Sequence, residues 1–266
     1  MASTLVQQKF GAAAADYAAS AVHAKGPSLA RLIALVQPRP DWRALDIATG
    51  AGHTAHALSP HVAHVVASDV TDEMLAQAAQ LATDKGLANV ETVRADAGAL
   101  PFDDAHFDLV TCRLAAHHFP DPAAFVGESF RVLKPGGTFA LVDNIGPDRE
   151  VPPGLKDAEL REAASAYNAY ETLRDPSHAR CLALSEWLDL VQTAGFVDAR
   201  TERMDQDIGF DAWAQRMRCD AVTVAGLEAM LVQEPLHTFL KPRTTVHGPL
   251  FTLQEAIIVA RKPERA

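Results

Sequence analysis

The amino-acid sequence predicts an α/β fold, in which a parallel sheet carries helices on both of its faces. Between residues 43 and 143, short apolar segments alternate with longer amphipathic ones. Gly, Pro, Asp or Thr stands at most of the boundaries, as expected where strands and helices end. Because strands joined through helices pair in parallel, this alternation indicates βαβ units. A length of 266 residues suits one such domain with insertions.

Each element of this core follows from its local pattern. Residues 3–37 are rich in Ala and Leu and predict one or two helices, with a break at Gly26-Pro27. The next long helix covers 72–85, with Thr71 as its cap and Gly86 as its stop. The predicted strands are 44–48, 64–68, 90–95, 107–112 and 138–142, and the other core helices are 52–58 and the one that Asp121-Pro122 opens and the turn at 134–137 ends.

The pattern becomes less regular after residue 143. Three prolines predict a loop over 146–154. A helix follows over 185–194, with Ser185 as cap and Gly195 as stop. The other predicted elements are helices over 155–173 and 211–232 and strands over 199–204 and 253–260. We expect a mobile cover in 145–180 and a second insertion in 207–250, both lying over the same sheet.

The composition excludes several classes of partner. Lys and Arg number 24 and Asp and Glu number 34, which gives a formal net charge of −10. Such a chain lacks the positive surface that binds phosphate backbones or anionic membranes, so no nucleic-acid partner is expected. No apolar run reaches the roughly 18 residues of a membrane span. The cysteines form neither a disulfide framework nor a zinc motif, and no leader pattern opens the chain, so we expect a soluble, cytoplasmic protein.

The loop after the first predicted strand carries the sharpest local signal. From Asp46 to Gly52 the sequence passes from a strand through small residues into a helix. Gly50 and Gly52 let the backbone turn tightly and let a ligand approach it, and the N–H groups of a helix follow. Asp69 ends the second strand, where a carboxylate can accept both hydroxyls of a ribose.

Two kinds of ligand fit this loop. Gly50-x-Gly52-x-x-Ala55 satisfies the dinucleotide fingerprint GxGxxG/A, which would make the chain a nicotinamide-dependent dehydrogenase. Asp46, however, stands four residues before Gly50. A carboxylate there would repel a pyrophosphate and would attract a ligand that carries an ammonium group.

Five motifs in register resemble those of the class I S-adenosylmethionine-dependent methyltransferases, in the type 11 branch near the quinone methylases. They are Asp46–Gly52, in which Ala48 replaces the first of the usual three glycines, Ser68–Thr71 with Met74, Arg94–Phe102, Phe107–Val110 and Leu133–Gly137. This resemblance implies a Rossmann-like, doubly wound seven-stranded sheet, mostly parallel with its last strand antiparallel, plus helical lid elements. It divides a single domain into an N-terminal helical lid at 1–40, a donor-binding core at 41–143 and acceptor-side insertions at 144–183 and 207–250.

The resemblance also implies S-adenosylmethionine as cofactor and assigns its contacts. The backbone around Ala48, Gly50 and Gly52 would hold the amino acid end beside Asp46, and Asp69 would take the ribose hydroxyls. The other implied donor contacts are Val70, Met74, Asp96 and Ala97 around the adenine, and Cys112 and Arg113 at the floor of the pocket. For Met74, plain core packing is an alternative, because the residue also fits the apolar stripe of its helix.

The segment after the fourth strand should meet the acceptor, because ligands bind at the C-terminal ends of parallel strands. His117 and His118 are the candidate general bases, and we favour His117 as the one that faces inward. If the segment is a helical turn, Arg113 and His117 are i,i+4 neighbours that could bind an acidic oxygen together. For either histidine, a structural role bonded to backbone carbonyls is the alternative.

Other residues are implied in the acceptor site or excluded from a metal site. The N-terminal helix often acts as a lid in this family, so Phe10, Tyr17 and His23 are candidate acceptor contacts, as is His178. The sequence at 115–119 departs from the asparagine-containing one of the quinone methylases, which argues against a role in quinone biosynthesis. The paired histidines at 53–64 lack a Cys or carboxylate partner, so no metal is expected.

We therefore expect a methyltransferase that acts on a small aromatic or hydrophobic acceptor at O, N or C, as a monomer or homodimer. The alternative from a different class is a donor-binding sensor or scaffold without transfer chemistry.

Overall fold

A computed structural model of the chain describes residues 5–11, 14, 26–149 and 156–264. The strands are β1 Arg43–Ile47, β2 His64–Asp69, β3 Val90–Arg94, β4 Phe107–Arg113, β5 Leu133–Asn144, β6 Val197–Gly209, β7 Arg243–Thr245 and β8 Gly248–Arg261. The helices are α1 Pro27–Val36, α2 His53–Leu58, α3 Asp72–Asp84, α4 Pro122–Val132, α5 Asp157–Arg174, α6 Leu184–Thr193, α7 Phe210–Arg216, α8 Ala221–Leu231 and α9 Leu236–Leu240. Residues 5–11 are helical ahead of α1, and Ala116–His118 is a single 3₁₀ turn.

The strands form one sheet in the order β3-β2-β1-β4-β5-β8-β6, with β7 paired to β8. Strands β1 to β5 pair in parallel, whereas β8 runs antiparallel to both β5 and β6. This confirms the predicted Rossmann-like sheet, mostly parallel with its last strand antiparallel. The sheet has eight strands rather than seven, because the short β7 folds back on the start of β8 between Thr245 and Gly248.

Apolar side chains alternate along the strands and cover both faces of the sheet. One face packs Ile47, Val110 and Leu141 against α4 and α6, with Phe125 and Trp187 at the centre of the layer. The opposite face packs β1, β2 and β5 against α1 and α2 through Ala44, Val65, Val142, Leu32 and Leu58. Burial on both faces explains why these strands are nearly continuous apolar runs.

Several caps differ from the prediction. Asp121 caps α4 as expected, since its carboxylate accepts the Ala124 amide at 3.0 Å. Thr71 stands at the N-cap of α3, but its side chain makes no capping hydrogen bond. Helix α6 begins at Leu184, so Ser185 is not its cap. Instead the Glu186 carboxylate accepts the Ala183 amide at 2.9 Å.

The chain after β5 builds a cap with an apolar core of its own. Helix α5 packs through Tyr167 and Tyr170 against α7 to α9 and the start of β8. The helix predicted over 211–232 is two helices, α7 and α8, because Arg218 between them adopts a φ of 55°. Residues 175–183 join this cap to the sheet, since the amides of Ala179 and Arg180 both donate to the His117 carbonyl.

Among the residues that the structure describes, no helix combines the length and the apolar character needed to cross a membrane.

Candidate active site

A cavity of about 380 Å³ opens at the C-terminal ends of β1, β2 and β4. This volume lies in the range of small-ligand sites, and the position is where open parallel sheets bind ligands. The predicted site residues that line it are Phe10, Ala48, Gly50, Asp69, Val70, Met74, Asp96, Ala97, Arg113 and His118. The remaining lining residues are Val6, Thr49, Ala51, His53, Thr54, Thr71, Ala95, Gly98, Ala99, Leu114, Ala115, Phe119, Pro120, Asp121 and Ala124.

The loop after β1 is held in a conformation that its small residues permit. Ala48, Gly50 and Gly52 have positive φ values of 52°, 54° and 85°. A Cβ on Gly52 would lie 2.7 Å from the His56 ring and 2.9 Å from the Ala78 Cβ, so only glycine fits there. Around Gly50 a Cβ would find open space, which leaves the main chain of the loop accessible from the cavity.

Asp46 supports this loop from the end of β1. It is buried, and its two oxygens accept the hydroxyls of Thr49 at 2.6 Å and Thr111 at 2.7 Å. Burial raises the pKa of Asp46 to about 6, although the two hydroxyls and the charge of Arg113 oppose this shift. Asp46 and Gly52 do not belong to the cavity lining in the described part of the chain, so they act on it through the loop.

Asp69 joins the end of β2 to the same loop. Its Oδ2 accepts the Gly50 amide and its Oδ1 accepts the Thr71 amide, both at 2.9 Å. Burial raises the pKa of this carboxyl, against the stabilising effect of the amides. Asp69 also borders the cavity, so its carboxylate is placed where it can accept from a ligand's hydroxyl groups.

The segment after β3 closes another side of the cavity. Asp96 forms a tight turn, in which its Oδ1 accepts the Gly98 amide at 2.8 Å and its carbonyl accepts the Ala99 amide. Ala97 and Met74 line the same cavity. Met74 is also almost fully buried, so the predicted ligand contact and the alternative of core packing are compatible.

Arg113 lies at the end of β4 with 8% of its surface exposed. Its Nε donates to the Thr54 hydroxyl at 3.2 Å, and its Nη1 lies 3.5 Å from the Ser28 hydroxyl. Leu114, with a φ of 55°, separates it from the 3₁₀ turn at His117, so the two residues do not share a helical turn. Cys112, one residue earlier, is fully buried and does not belong to the described cavity lining.

His117 is bound by a carboxylate at the end of β5. Its Nδ1 lies 2.6 Å from Oδ1 of Asp143, whose Oδ2 accepts the His117 amide at 2.7 Å. Burial lowers the pKa of His117, but the charge and hydrogen bond of Asp143 outweigh it, and the net pKa is raised above 6.5. His117 is not among the described residues that line the cavity, although the sequence favoured it as the inward one.

His118, in contrast, lines the cavity. Its Nδ1 lies 3.0 Å from the Ser177 carbonyl oxygen, and the Phe10 ring meets it edge-on with centroids 4.9 Å apart. Burial and the neighbouring charge of His117 lower the pKa of His118 to about 4, so it is neutral at physiological pH. A neutral imidazole that borders a cavity can accept a proton from a ligand.

His178 contributes to the protein framework beside this pair. Its Nε2 lies 2.9 Å from the side-chain Oδ1 of Asn168, and its ring centroid is 5.8 Å from that of His117. Burial and the nearby cations lower the pKa of His178 to about 3. It does not belong to the described cavity lining. Tyr17 and His23, the other predicted acceptor contacts, fall outside the described residues.

Sequence reasoning missed several residues of the cavity wall. His53 and Thr54 begin α2, and their position directly after the glycine loop was an available signal. Phe119 and Pro120 border the cavity because they follow the 3₁₀ turn at Ala116–His118. The sequence contains no local signal that predicts this turn.

The histidines weighed for a metal have other partners. Nε2 of His56 lies 2.9 Å from the Ala78 carbonyl oxygen, and His64 pairs with Glu91 at 3.1 Å. Within the described ranges, no group of three or more His, Cys, Asp and Glu residues could hold a metal ion.

Known proteins share both the sequence and the fold. The family described as Methyltransferase domain matches residues 45–141. YcgJ of Bacillus subtilis, described as an uncharacterized methyltransferase, is 40% identical over 195 residues, which is 73% of this chain and 73% of that protein. The YcgJ crystal structure has a TM-score of 0.80 at 34% identity and covers 89% of this chain and 98% of that one.

Two more distant relatives carry more specific descriptions. UbiE of Brucella anthropi, a ubiquinone/menaquinone biosynthesis C-methyltransferase, is 40% identical over 118 residues, which is 42% of this chain and 45% of that protein. Phosphoethanolamine N-methyltransferase 2 of Haemonchus contortus, in complex with S-adenosyl-L-methionine, has a TM-score of 0.60 over 89% of this chain and 52% of that one. At 19% identity, this second likeness is one of fold alone.

Proposed function

Because the chain belongs to the type 11 branch of the class I methyltransferases, we propose that it transfers the methyl group of S-adenosylmethionine to a small aromatic or hydrophobic acceptor. One observation carries this proposal. A single cavity is lined by the glycine loop after β1, by Asp69 at the end of β2 and by Asp96 after β3. His118, which follows β4, lines the same cavity. A donor and a proton-accepting group can therefore share one cavity.

The residues of the wall fit the parts of this donor. Asp69 is a buried carboxylate at the end of β2 that borders the cavity, which suits ribose hydroxyls. The turn at Asp96, together with Ala97 and Met74, offers one carboxylate and an apolar surface, which suits an adenine. Asp46 and Asp69 place negative charge near the loop, which favours a cationic ligand over a pyrophosphate.

The chemistry requires positioning and the removal of a proton. The loop at Gly50, Asp69 and the turn at Asp96 would hold S-adenosylmethionine, which would supply an electrophilic methyl group for a lone pair of the acceptor, with sulfur keeping both electrons of the broken bond. His118 would take the acceptor's proton on the imidazole nitrogen that carries no hydrogen. Such a base contributes roughly 10²–10⁴-fold when the nucleophile must lose a proton. The cavity would hold the acceptor in line with the donor, which contributes on the order of 7–11 kcal/mol in favourable cases.

The neighbourhood of His118 supports an apolar acceptor. Phe10 meets its ring, and Leu114, Phe119 and Pro120 line the same cavity. Aromatic rings and aliphatic side chains bind flat apolar molecules by burying their surface. The acceptor atom, O, N or C, follows from which nucleophile presents its proton to His118.

Calorimetric titration with S-adenosylmethionine, followed by a screen of small phenols, amines and heterocycles that reads released S-adenosylhomocysteine, tests this function. We expect micromolar to millimolar donor binding and a methylated product from at least one acceptor class. With that acceptor, His118→Gln should lose turnover and keep donor affinity, whereas His61→Gln, an exposed surface control, should keep both. Tight donor binding without product from any class would favour a sensor or scaffold, and displacement of the donor by a nicotinamide dinucleotide would favour a dehydrogenase.

A further inference from the structure

His118 is bound by a loop that lies far from it in sequence. Its Nδ1 faces the carbonyl oxygen of Ser177 at 3.0 Å, three residues beyond the end of α5. Two further hydrogen bonds hold the loop in this position, since the amides of Ala179 and Arg180 both donate to the carbonyl of His117. The loop that contacts His118 is therefore itself bound to the turn that carries His118.

This contact assigns the tautomer of His118. A carbonyl oxygen only accepts hydrogen bonds, so Nδ1 must carry the hydrogen and donate it to Ser177. The Ser177 hydroxyl lies 3.4 Å from the same nitrogen, but it donates to Oδ1 of Asp175 at 2.6 Å. Nε2 of the neutral His118 is thereby left with its lone pair, which makes it the nitrogen that can take a proton.

Asp175 forms and closes the loop that presents this carbonyl. It is buried, and its Oδ1 accepts both the amide of Ser177 at 2.9 Å and the Ser177 hydroxyl. Its other oxygen, Oδ2, lies 3.9 Å from Nε2 of His118, which is too long for a hydrogen bond. At that distance a carboxylate still interacts strongly with a charged imidazole in a buried site.

We propose that Asp175 is the positioning residue of His118: it holds the Ser177 carbonyl against Nδ1 and places a carboxylate beside Nε2, the nitrogen that takes the acceptor's proton. The inference rests on the proposed function for the transfer step, but the positioning itself can be measured without an acceptor. In the transfer step the proton leaves the acceptor and bonds to Nε2, so His118 becomes a cation. The Asp175 carboxylate stabilises that cation as it forms, while Nδ1 keeps its bond to Ser177.

The other charges around His118 make this carboxylate necessary. The ring centroid of His117 lies 4.3 Å from that of His118, and Asp143 raises the pKa of His117, so a positive charge on His117 disfavours a second cation beside it. Asp143 offsets that charge but is already bonded to the ring and amide of His117. His178 lies 6.4 Å away and is neutral, because burial lowers its pKa to about 3. Asp175 is thus the carboxylate positioned to stabilise a protonated His118.

Two substitutions separate the two roles. In Asp175→Asn the amide oxygen still accepts from Ser177, so the loop persists while the charge is lost. In Asp175→Ala both are lost. ¹⁵N NMR of the full chain, labelled at histidine and saturated with S-adenosylhomocysteine, reports which imidazole nitrogen of His118 carries hydrogen, and the His118→Gln spectrum assigns the signal.

We expect the Nδ1–H tautomer in the wild type and in Asp175→Asn, and a substantial Nε2–H population in Asp175→Ala. With an acceptor found by the screen, Asp175→Asn should lower kcat about 10- to 100-fold, which is part of the gain from a general base, and leave donor affinity unchanged. Asp84→Asn removes an exposed carboxylate that bonds only Gln80 in the described structure and should change neither quantity.

An Nε2–H tautomer in the wild type, or an unchanged Nδ1–H tautomer in a folded Asp175→Ala, would overturn the positioning role. Wild-type kcat in Asp175→Asn would overturn the charge role. If no acceptor yields product at all, the proposed function fails, and the tautomer measurement still decides whether Asp175 positions His118. Should Asp175→Ala not fold, Ser177→Pro, which removes the amide bond to Asp175, replaces it in the NMR comparison with the same expected result.

Discussion

Asp143 binds His117 at two points, the ring and the backbone, and so joins the end of β5 to the turn after β4. One carboxylate oxygen lies 2.6 Å from Nδ1, and the other accepts the amide at 2.7 Å. Because both contacts come from one buried carboxylate, the orientation of the His117 ring is fixed relative to β5. The next residue, His118, then lies on that wall. Asp143 therefore binds His117, whereas His118, whose pKa is lowered by burial, borders the cavity as the candidate base.

Breaking this pair should lower stability in a pH-dependent way. Asp143→Asn leaves the buried His117 without its counter-charge, which costs about 3–5 kcal/mol in comparable buried pairs. Since the folded-state pKa of His117 is raised above 6.5, the contribution is fully present below about pH 6.5 and is lost as pH rises through the folded pKa. We expect urea unfolding to show the full loss at about pH 6 and a much smaller loss at about pH 9.

Asp189→Asn is the matched control for this measurement, because it removes an exposed carboxylate from α6. It should change the free energy of unfolding by less than about 0.5 kcal/mol at either pH. An equal loss for Asp143→Asn at both pH values would contradict a charged His117.

We expect Asp46 to lower the stability of the fold at neutral pH and to contribute to donor binding. Burial raises its pKa to about 6 from 3.8, so its favourable contribution is present below about pH 4 and lost as pH rises through 6. The ionised form then costs about 3 kcal/mol. In Asp46→Asn, Thr111 can turn its hydroxyl to the Leu45 carbonyl 3.4 Å away, which limits the loss of hydrogen bonds.

We therefore expect the free energy of unfolding of Asp46→Asn to exceed that of the wild type by on the order of 1–3 kcal/mol at about pH 7.5, and this difference to disappear only below about pH 4. Donor affinity should fall in the same variant. Asp41→Asn, which removes an exposed carboxylate just before β1, should change neither property. If Asp46→Asn had a lower free energy of unfolding than the wild type at neutral pH, ionised Asp46 would not destabilise the fold.

We expect substitution of Asp69 to lower donor affinity more than it lowers the stability of the fold. In the wild type, the amides of Gly50 and Thr71 donate to the two oxygens of the Asp69 carboxylate. In Asp69→Asn these oxygens are replaced by a neutral oxygen and an NH₂ group, so the loop at Gly50 loses one charge-assisted bond. With the loss of bonds to ligand hydroxyls, we expect the Kd for S-adenosylmethionine to rise about 10- to 100-fold, at roughly 1.5–3 kcal/mol for a hydrogen bond to a charged group.

Asp72→Asn, three residues away and exposed beside Arg94, controls for loss of charge at this edge of the sheet. Its donor affinity should match that of the wild type in calorimetry. If both variants bound the donor like the wild type, the ribose assignment of Asp69 would be wrong.

The core elements could be predicted from the sequence because their signals are local. Asp121-Pro122 marks the start of α4 within its own turn, and Gly86 ends α3 with a φ of 67°. The parallel pairing of β1 to β5 agrees with the alternation of strands and helices in this part of the sequence. Strand β6 extends to Gly209, well beyond the predicted 199–204, because its pairing with the distant β8 sets its length.

The site could be predicted where it depends on the loop after β1 and not where distant segments meet. Asp46, Gly50 and Asp69 lie within one βαβ unit, so their spacing alone brings them together. The direction of His117 and His118 depends on Asp143 in β5 and on Ser177 after α5. No pattern around residues 117–118 contains that information. For this reason the sequence favoured His117 as the inward residue, whereas His118 is the one that lines the described cavity.

Phe10 should shield His118 from solvent. The helical segment 5–11 is tied to the sheet by the Gln7 side chain, which donates to the Val70 carbonyl at 2.8 Å, and it places the Phe10 ring 4.9 Å from the His118 ring. Phe10→Ala removes this cover and one wall of the proposed acceptor site. We expect a higher KM for the acceptor and, without any acceptor, several-fold faster reaction of His118 with diethyl pyrocarbonate.

The reagent attacks neutral imidazole, and His118 is neutral near pH 7 because its pKa is lowered to about 4, so its accessibility sets the rate. Peptide mass spectrometry with fragmentation separates His118 from His117, whose raised pKa and bond to Asp143 should keep it slow in both proteins. Gln8→Ala, an exposed position in the same segment, should leave the His118 rate unchanged. Equal rates for Phe10→Ala and the wild type would mean that the Phe10 ring does not control access to His118, and the acceptor would then have to enter past another part of the wall.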